Sequence, residues 1–244
     1  MSEVKPVANK SKQIGANFSC GYNVIVLEDA VIGDDVSVGN NVIIHKNTVI
    51  EKGVRIQDNV IVGKQPVSTA FSTFKRGEAG GAVIGEGSII CAGSIVYGGT
   101  KIGKNCIIAD QAIVREGCIF GEKVKIGKKA IVEFDVTLGN KVSIQAYVLV
   151  GEKTVIEEGA FIGPHVSMAL DKFMDNRRMD PVNLYPIVIK KGARIGENAT
   201  IFPGITLGKN CWVGAGTVVT KNVNENEVVL GNPGRVVKKI VQNE

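Results

Sequence analysis

The sequence predicts an all-β fold, a parallel β-helix in which the chain winds around a triangular prism, and three observations predict it. Hydrophobic residues make up 44% of the 244 residues, yet aromatics reach only 5% and 30 residues are glycine. An apolar residue returns at every sixth position along most of the chain. Two long segments interrupt that count by 16 and 21 residues, neither a multiple of six.

The repeat starts at Ile14 and steps by sixes through Cys20, Val26 and Ile32 to Val62. It resumes at Ile84 and runs unbroken through Ile108, Val114 and Phe120 to Ile162, then again from Ile189 to Val219. Of these 29 hexads, 27 are led by Ile, Val or Leu, and 15 leads are followed directly by Gly. Such a period is not that of a helix. It describes a short strand, a turn and another short strand. The lead residue and the one four places on (Val24, Ala30, Val36, Cys106, Ala112, Cys118, Ala130) point inward. Glycine is expected where the turn needs unusual backbone angles. Three hexads make one coil, and coils pair at about 4.8 Å, so the hexads predict about ten coils and a prism about 45 Å tall. A prism that narrow has no room for a ring in every layer.

The organisation follows from the count: a tail over 1–13, a β-helix domain over 14–224 with loops at 68–83 and 168–188, and a cap over 225–244. The loops carry Phe71, Phe74, Lys75, Arg76, Phe173, Arg177, Arg178 and Tyr185, residue types that bind rather than pack. Long loops on a rigid repeat scaffold are where function tends to sit; the lesser alternative is that one of them merely caps a subunit contact. After Val219 the repeat fails. The segment VVLGNPGRVVKKIVQNE reads as a connector, a turn at Asn232-Pro233-Gly234 and a basic strand or helix that covers the open end of the prism.

A net charge of +5 without a dense basic run argues against nucleic acid as a partner and mildly favours anionic small molecules. The N-terminus has no apolar h-region, and no stretch approaches about 18 consecutive apolar residues, so a cytoplasmic protein without a membrane span is expected. Four of the five cysteines fall at core positions, which suits small buried hydrophobes better than disulfides or zinc ligands.

The hexads, the two loops and the terminal VVLGNPGRVV together resemble the hexapeptide-repeat acyltransferases over roughly residues 14–238. That resemblance implies a left-handed coil, against the right-handed rule for parallel crossovers. It also implies acyl-CoA as co-substrate, acetyl-CoA first, and a homotrimer with active sites at subunit interfaces. The segments VGKQPV, IADQAIVREGCIFG and IGPHVSM look like the branch that N-acylates nucleotide-linked amino sugars, particularly dTDP-linked 3- or 4-amino-dideoxyhexoses. There the GKQP loop implies a sugar-nucleotide site, and the DQAIVRE segment places Asp110 and Glu116 near the reacting amine. Where that branch reads GPN, this chain has Gly163-Pro164-His165. Carbonic anhydrases of this fold need three zinc-binding His. This chain has only His45 and His165, so no metal is expected.

Acyl transfer from a thioester to an amine requires that both substrates be held, the amine be neutral, its proton be accepted and the oxyanion be stabilised. A carboxylate of raised pKa can accept the proton, or a carboxylate can simply orient the ammonium. Asp110 and Glu116 are six apart and so sit at successive corners, too far apart to meet one nitrogen within a chain. Their spacing predicts a composite site, with Asp110 from one chain and Glu116 from its neighbour. The alternative is two solvated corner charges. His165 is a candidate base or a corner residue, and His45, read as far from both loops, is a solvated or interface residue. Lys64, Gln65, Lys75 and Arg76 are candidates for nucleotide phosphates, with Phe71 or Phe74 stacking on the base. Arg235, Lys238 and Lys221, with Lys190, are candidates for the CoA phosphates. The resemblance puts the pantetheine arm on backbone amides near Ala215. Competing readings are an O-acetyltransferase, an amino-acid N-acyltransferase, or a non-catalytic β-helix scaffold.

Overall fold

The computed structural model describes residues 7–8, 13–70, 72, 75–169, 171–172 and 185–240. All regular structure among them is strand, arranged in three sheets of 11, 10 and 12 strands that form faces A, B and C of a prism. Each coil contributes one short strand to each face in turn. The residue at a given place pairs in parallel with the residue 18 places later, as in the series Ile95, Ile113, Ile131 and Leu149 on face A. The result is a parallel solenoid of about eleven turns, consistent with the left-handed β-helix of hexapeptide repeats.

The core follows the repeat. Lead residues such as Ile44, Ile108 and Ile162 are fully buried, as are the small residues four places on, such as Ala30, Ala112 and Ala130. All described cysteines are free, and burial pushes the thiols of Cys118 and Cys211 up to about 12. No helix among the described residues is long and apolar enough to cross a membrane.

Glycine plays a different part from the one expected. The glycine after a lead residue, Gly63 apart, has no positive φ. It is required because successive corners approach too closely for a side chain. A Cβ at Gly103 would lie 2.4 Å from the carbonyl oxygen of Gly121, and one at Gly85 would lie 2.5 Å from the carbonyl carbon of Gly103. The left-handed conformation falls two places further on, where φ is 54° at Asn23, 55° at Asn41 and 59° at Asn59. Asparagine tolerates that region because its short amide bonds locally. Here it bonds along the prism: Asn23 Nδ2 donates to Asn41 Oδ1 at 3.0 Å, and Asn41 Nδ2 to Asn59 Oδ1 at 3.2 Å.

The boundaries also shift. The repeat reaches back into the expected tail, because Val7–Ala8 pairs with Ile25–Val26 on face A. Met168, expected to open the second loop, is a buried lead residue of strand Ser167–Met168, and Ala82 and Ile187 are already core at the ends of the two loops. Past Val219 the solenoid does not stop. The corner shortens so that Val223 bridges to Leu207, and Glu227–Leu230 pairs in parallel with Trp212–Val213 on face C. The basic segment Arg235–Lys239 is then a strand, antiparallel to Glu227–Leu230, and lies over the end of face C. Both loops depart from the same edge, between faces A and B: the first after Ile61–Lys64 and the second after Ser167–Met168.

Two substitutions separate the two glycine requirements. Gly103→Ala, which meets backbone, lowers the melting temperature by about 5 °C. Gly53→Asn, at φ 66° with nothing within 4 Å of its Cβ position, shifts it by about one degree. Thermal melts followed by circular dichroism distinguish them.

A candidate active site along two edges of the prism

The edge between faces A and B carries a cluster of linked ion pairs. Its outward residues stand in columns at intervals of 18: Tyr97, Arg115 and Glu133 in one, Glu116 and Phe134 in the next, Gly117 and Asp135 in a third. The first loop folds back over these columns. Arg76 reaches across two coils, donating from Nε to Glu116 Oε1 at 3.0 Å and from both Nη atoms to Asp135 at 3.0 and 3.1 Å. Its guanidinium lies 4.2 Å from the centre of the buried Phe134 ring. Gln65 accepts from the Ala79 amide at 2.8 Å, and Glu78 pairs with Lys46. Beneath the loop is a cavity of about 390 Å³ lined by Lys75, Arg76, Gly80, Gly99 and Glu116.

Glu116 is only 2% exposed. Burial alone would push its carboxyl up, but the hydrogen bonds from Arg115 (2.9 and 3.1 Å) and the charges of Arg115 and Arg76 outweigh it and hold the carboxyl below the usual range. That direction suits a carboxylate that orients a cation, not one that accepts a proton. Glu133 behaves oppositely. Burial raises its pKa, Glu152 and Glu116 add to the rise, and the 3.4 Å contact with Arg115 offsets only part of it.

The sequence candidates divide accordingly. Arg76 is placed among carboxylates, so its charge is matched within the chain rather than left open for a phosphate. Lys64 donates to the Tyr97 hydroxyl at 2.9 Å, Gln65 staples the loop, and Lys75 is exposed at the cavity. Phe71, Phe74, Phe173, Arg177 and Arg178 lie outside the described residues. His45 is a correction: it stands one coil before the first loop, beside Gly63, where burial and the Lys64 charge lower its pKa.

Asp110 lies on the other edge of face A, the one shared with face C, and is exposed. His165 is on this same edge three coils further on, roughly 14 Å away by the coil spacing. It stacks on Tyr147 with ring centres 4.8 Å apart and planes within 4°. Within one chain the structure therefore keeps Asp110 and Glu116 on separate edges, flanking face A.

At the C-terminal end, Lys221 and Arg235 line one cavity of about 240 Å³, and Lys238 is exposed on the same strand as Arg235. Lys190 instead pairs with Glu157 at 2.8 Å. Of the amides near Ala215, those of Gly214 and Gly216 are used by Val229 and Glu197. The Ala215 amide has no partner among the described residues, whereas equivalent amides at Ala16, Tyr22 and Glu122 are capped by a side chain of the next coil. Sequence reasoning by sixes missed Tyr97, Arg115, Glu133, Phe134 and Asp135. Stepping by 18 would have aligned them. Among the described residues no three His, Cys, Asp or Glu side chains gather as a metal site.

Two family models match the chain: the bacterial transferase hexapeptide (six repeats) over residues 81–116, and the hexapeptide repeat of succinyl-transferase over residues 186–221. Galactoside O-acetyltransferase of Escherichia coli (strain K12) is 33% identical over 96 residues, covering 38% of this chain and 47% of that protein. The 2,3,4,5-tetrahydropyridine-2,6-dicarboxylate N-acetyltransferase of Staphylococcus aureus (strain JH9) is 38% identical over 61 residues, 25% of this chain and 26% of that protein. The chain thus spans about half or less of the length of the curated relatives it matches. The solved UDP-N-acetylglucosamine acyltransferase from Campylobacter jejuni is alike in fold, covering 96% of this chain and 73% of that one with a TM-score of 0.54 at 18% identity. Both family models describe hexapeptide repeats of transferases, the two relatives are acetyltransferases, and each likeness is to a part of the chain.

Glu116→Gln leaves two guanidinium groups short of a buried partner and costs about 3 kcal/mol at neutral pH. Because the folded pKa of Glu116 lies below its unfolded value, this stabilisation is present above the ordinary carboxylate pKa of about 4.3 and is lost as pH falls through the folded value. Urea unfolding at neutral and acid pH checks this: wild type and variant differ at pH 7 and converge in acid.

Proposed function

We propose that this chain of transferase hexapeptide repeats moves an acetyl or other short acyl group from acyl-CoA to the amino group of a nucleotide-linked amino-deoxysugar, dTDP-linked in the first instance. The transfer is a direct attack of the amine on the thioester. The observation that carries the reading is the carboxylate set under the first loop. Glu116 and Asp135 already hold one cation, Arg76, and Glu116 and Glu78 line the cavity beside it, so the same carboxylates suit a sugar ammonium.

The residues divide the work by their charge states. Glu116, kept ionised by Arg115, orients the amine. Glu133, whose proton affinity is raised, takes the proton that the amine must lose before or during attack. Lys75 at the cavity mouth faces the nucleotide phosphates. The free amide of Ala215 and the cations Lys221, Arg235 and Lys238 receive the CoA arm and phosphates at the C-terminal end.

The second copy enters through face A. Its outward residues are Ile25, Ile43, Ile61, Ile95, Ile113, Ile131 and Leu149, an unbroken apolar ladder over seven coils. Ile25, Ile131 and Leu149 are 36 to 39% exposed on that ladder, an area that packing about a threefold axis would cover. Because face A is flanked by the Asp110 edge on one side and the Glu116 edge on the other, such packing brings unlike edges of neighbouring chains together.

A second reading, O-acyl transfer with His165 as base, is favoured by the exposed, Tyr147-braced imidazole. Saturating CoA and saturating dTDP each raise the melting temperature by several degrees under the proposed function. Stabilisation by neither marks a non-catalytic scaffold. Asp110→Asn and Glu133→Gln each lower N-acyl turnover about 100-fold, and His165→Ala leaves it near wild type. A rate that rises with pH through a value above the ordinary carboxylate range, and loses that limb in Glu133→Gln, identifies Glu133 as the acceptor. Full loss of activity in His165→Ala favours the O-acyl reading instead.

A further inference from the structure

Face C ends in a site that neither the acyl-transfer chemistry nor the loops account for. The outward residues Phe161, Arg194 and Trp212 are register partners on strands Phe161–Ile162, Arg194–Ile195 and Trp212–Val213. Successive rungs are about 4.8 Å apart, so an arginine is placed between two aromatic residues on one outer face. The column continues through Val228 to Lys238 on the terminal strand. Phe161, Arg194, Trp212, Val228 and Leu230 line a cavity of about 360 Å³ beside Gly214, where a Cβ would lie 2.1 Å from the Leu230 side chain.

Trp212 is the single tryptophan of the chain and is 44% exposed. Arg194 is exposed and has no ion-pair partner among the described residues, whereas Arg76 and Arg115 each have two. No carboxylate lines the cavity. A flat apolar wall and an unneutralised planar cation form a set that a planar aromatic base bearing phosphate satisfies: the ring stacks on the indole and the phosphate takes the guanidinium.

We propose that this cavity on face C binds the nucleoside-phosphate end of a substrate, with the base stacked on Trp212 and a phosphate held by Arg194. The inference rests on the proposed function for the presence of such ligands. Two sources share this chemistry: the adenosine 3′,5′-phosphates of the acyl donor and the nucleoside diphosphate of the sugar acceptor.

The lone tryptophan makes the test direct. The protein is titrated with CoA, 3′,5′-ADP, dTDP and UDP, with binding followed by calorimetry and by tryptophan emission. Saturable quenching by CoA and 3′,5′-ADP assigns the site to the acyl donor, and quenching by dTDP or UDP alone assigns it to the sugar nucleotide. Either way, Trp212→Ala raises the Kd of the quenching ligand about tenfold, read by calorimetry. Arg194→Gln weakens the phosphorylated ligand and leaves the affinity for its bare nucleoside unchanged. If these ligands bind by calorimetry while the emission stays silent and Trp212→Ala keeps the wild-type Kd, the site is overturned and the proposed reaction stands. If none of them binds at all, both are overturned.

Discussion

The parallel hydrogen bonding of each coil to the next fixes almost everything else in this molecule. Because pairing joins each residue to the one 18 places on, outward side chains cannot be placed one at a time. They stand in columns at about 4.8 Å. A column of isoleucines makes face A apolar along seven coils. A column of asparagines supports the left-handed corner positions, and a column of Tyr97, Arg115 and Glu133 makes one edge a charged strip. Function in such a scaffold is written as a departure of a column from its structural default.

The charged edge shows how a departure is stabilised. At that rise, like charges in neighbouring coils repel, so a column of ionisable groups needs alternating sign or an insert of opposite charge. Arg115 above Glu133 supplies the first solution, and Arg76 arriving from the first loop supplies the second by bridging Glu116 and Asp135. The described part of the loop is thereby held by charge. The Arg76 guanidinium also rests on Phe134, an edge residue that is itself buried. Under the proposed function the carboxylates that anchor the loop also meet the substrate's ammonium, so loop order and substrate binding draw on one set of groups.

Much of the fold was legible in the sequence, because a period of six with branched apolar leads has one physical meaning. The role of glycine was not. The letters after Ile or Val suggested unusual backbone angles, but the constraint there is crowding between coils, and the unusual angles belong to Asn, Asp, Lys and Gly two places on. Loop limits erred by a few residues for a similar reason: Ala82, Met168 and Ile187 are core positions whose hexad neighbours are missing. For the site, Glu116 stood out by motif, but its partners Arg76, Arg115 and Asp135 are joined to it by coil stacking and loop folding, which a six-residue count does not express. His45 shows the same limit, since 18 residues along the chain are one step along the prism.

In the proposed function, face A joins copies of the chain so that the Asp110 edge of one meets the Glu116 edge of the next. Mixing subunits tests that claim most directly. Asp110→Asn and Glu116→Gln chains, each of strongly lowered turnover alone, are unfolded together, refolded and assayed for acyl transfer. A composite site predicts recovered turnover, because some interfaces in mixed assemblies pair an intact Asp110 with an intact Glu116. Mixtures no more active than the separate variants, despite forming mixed assemblies of wild-type size, would contradict it.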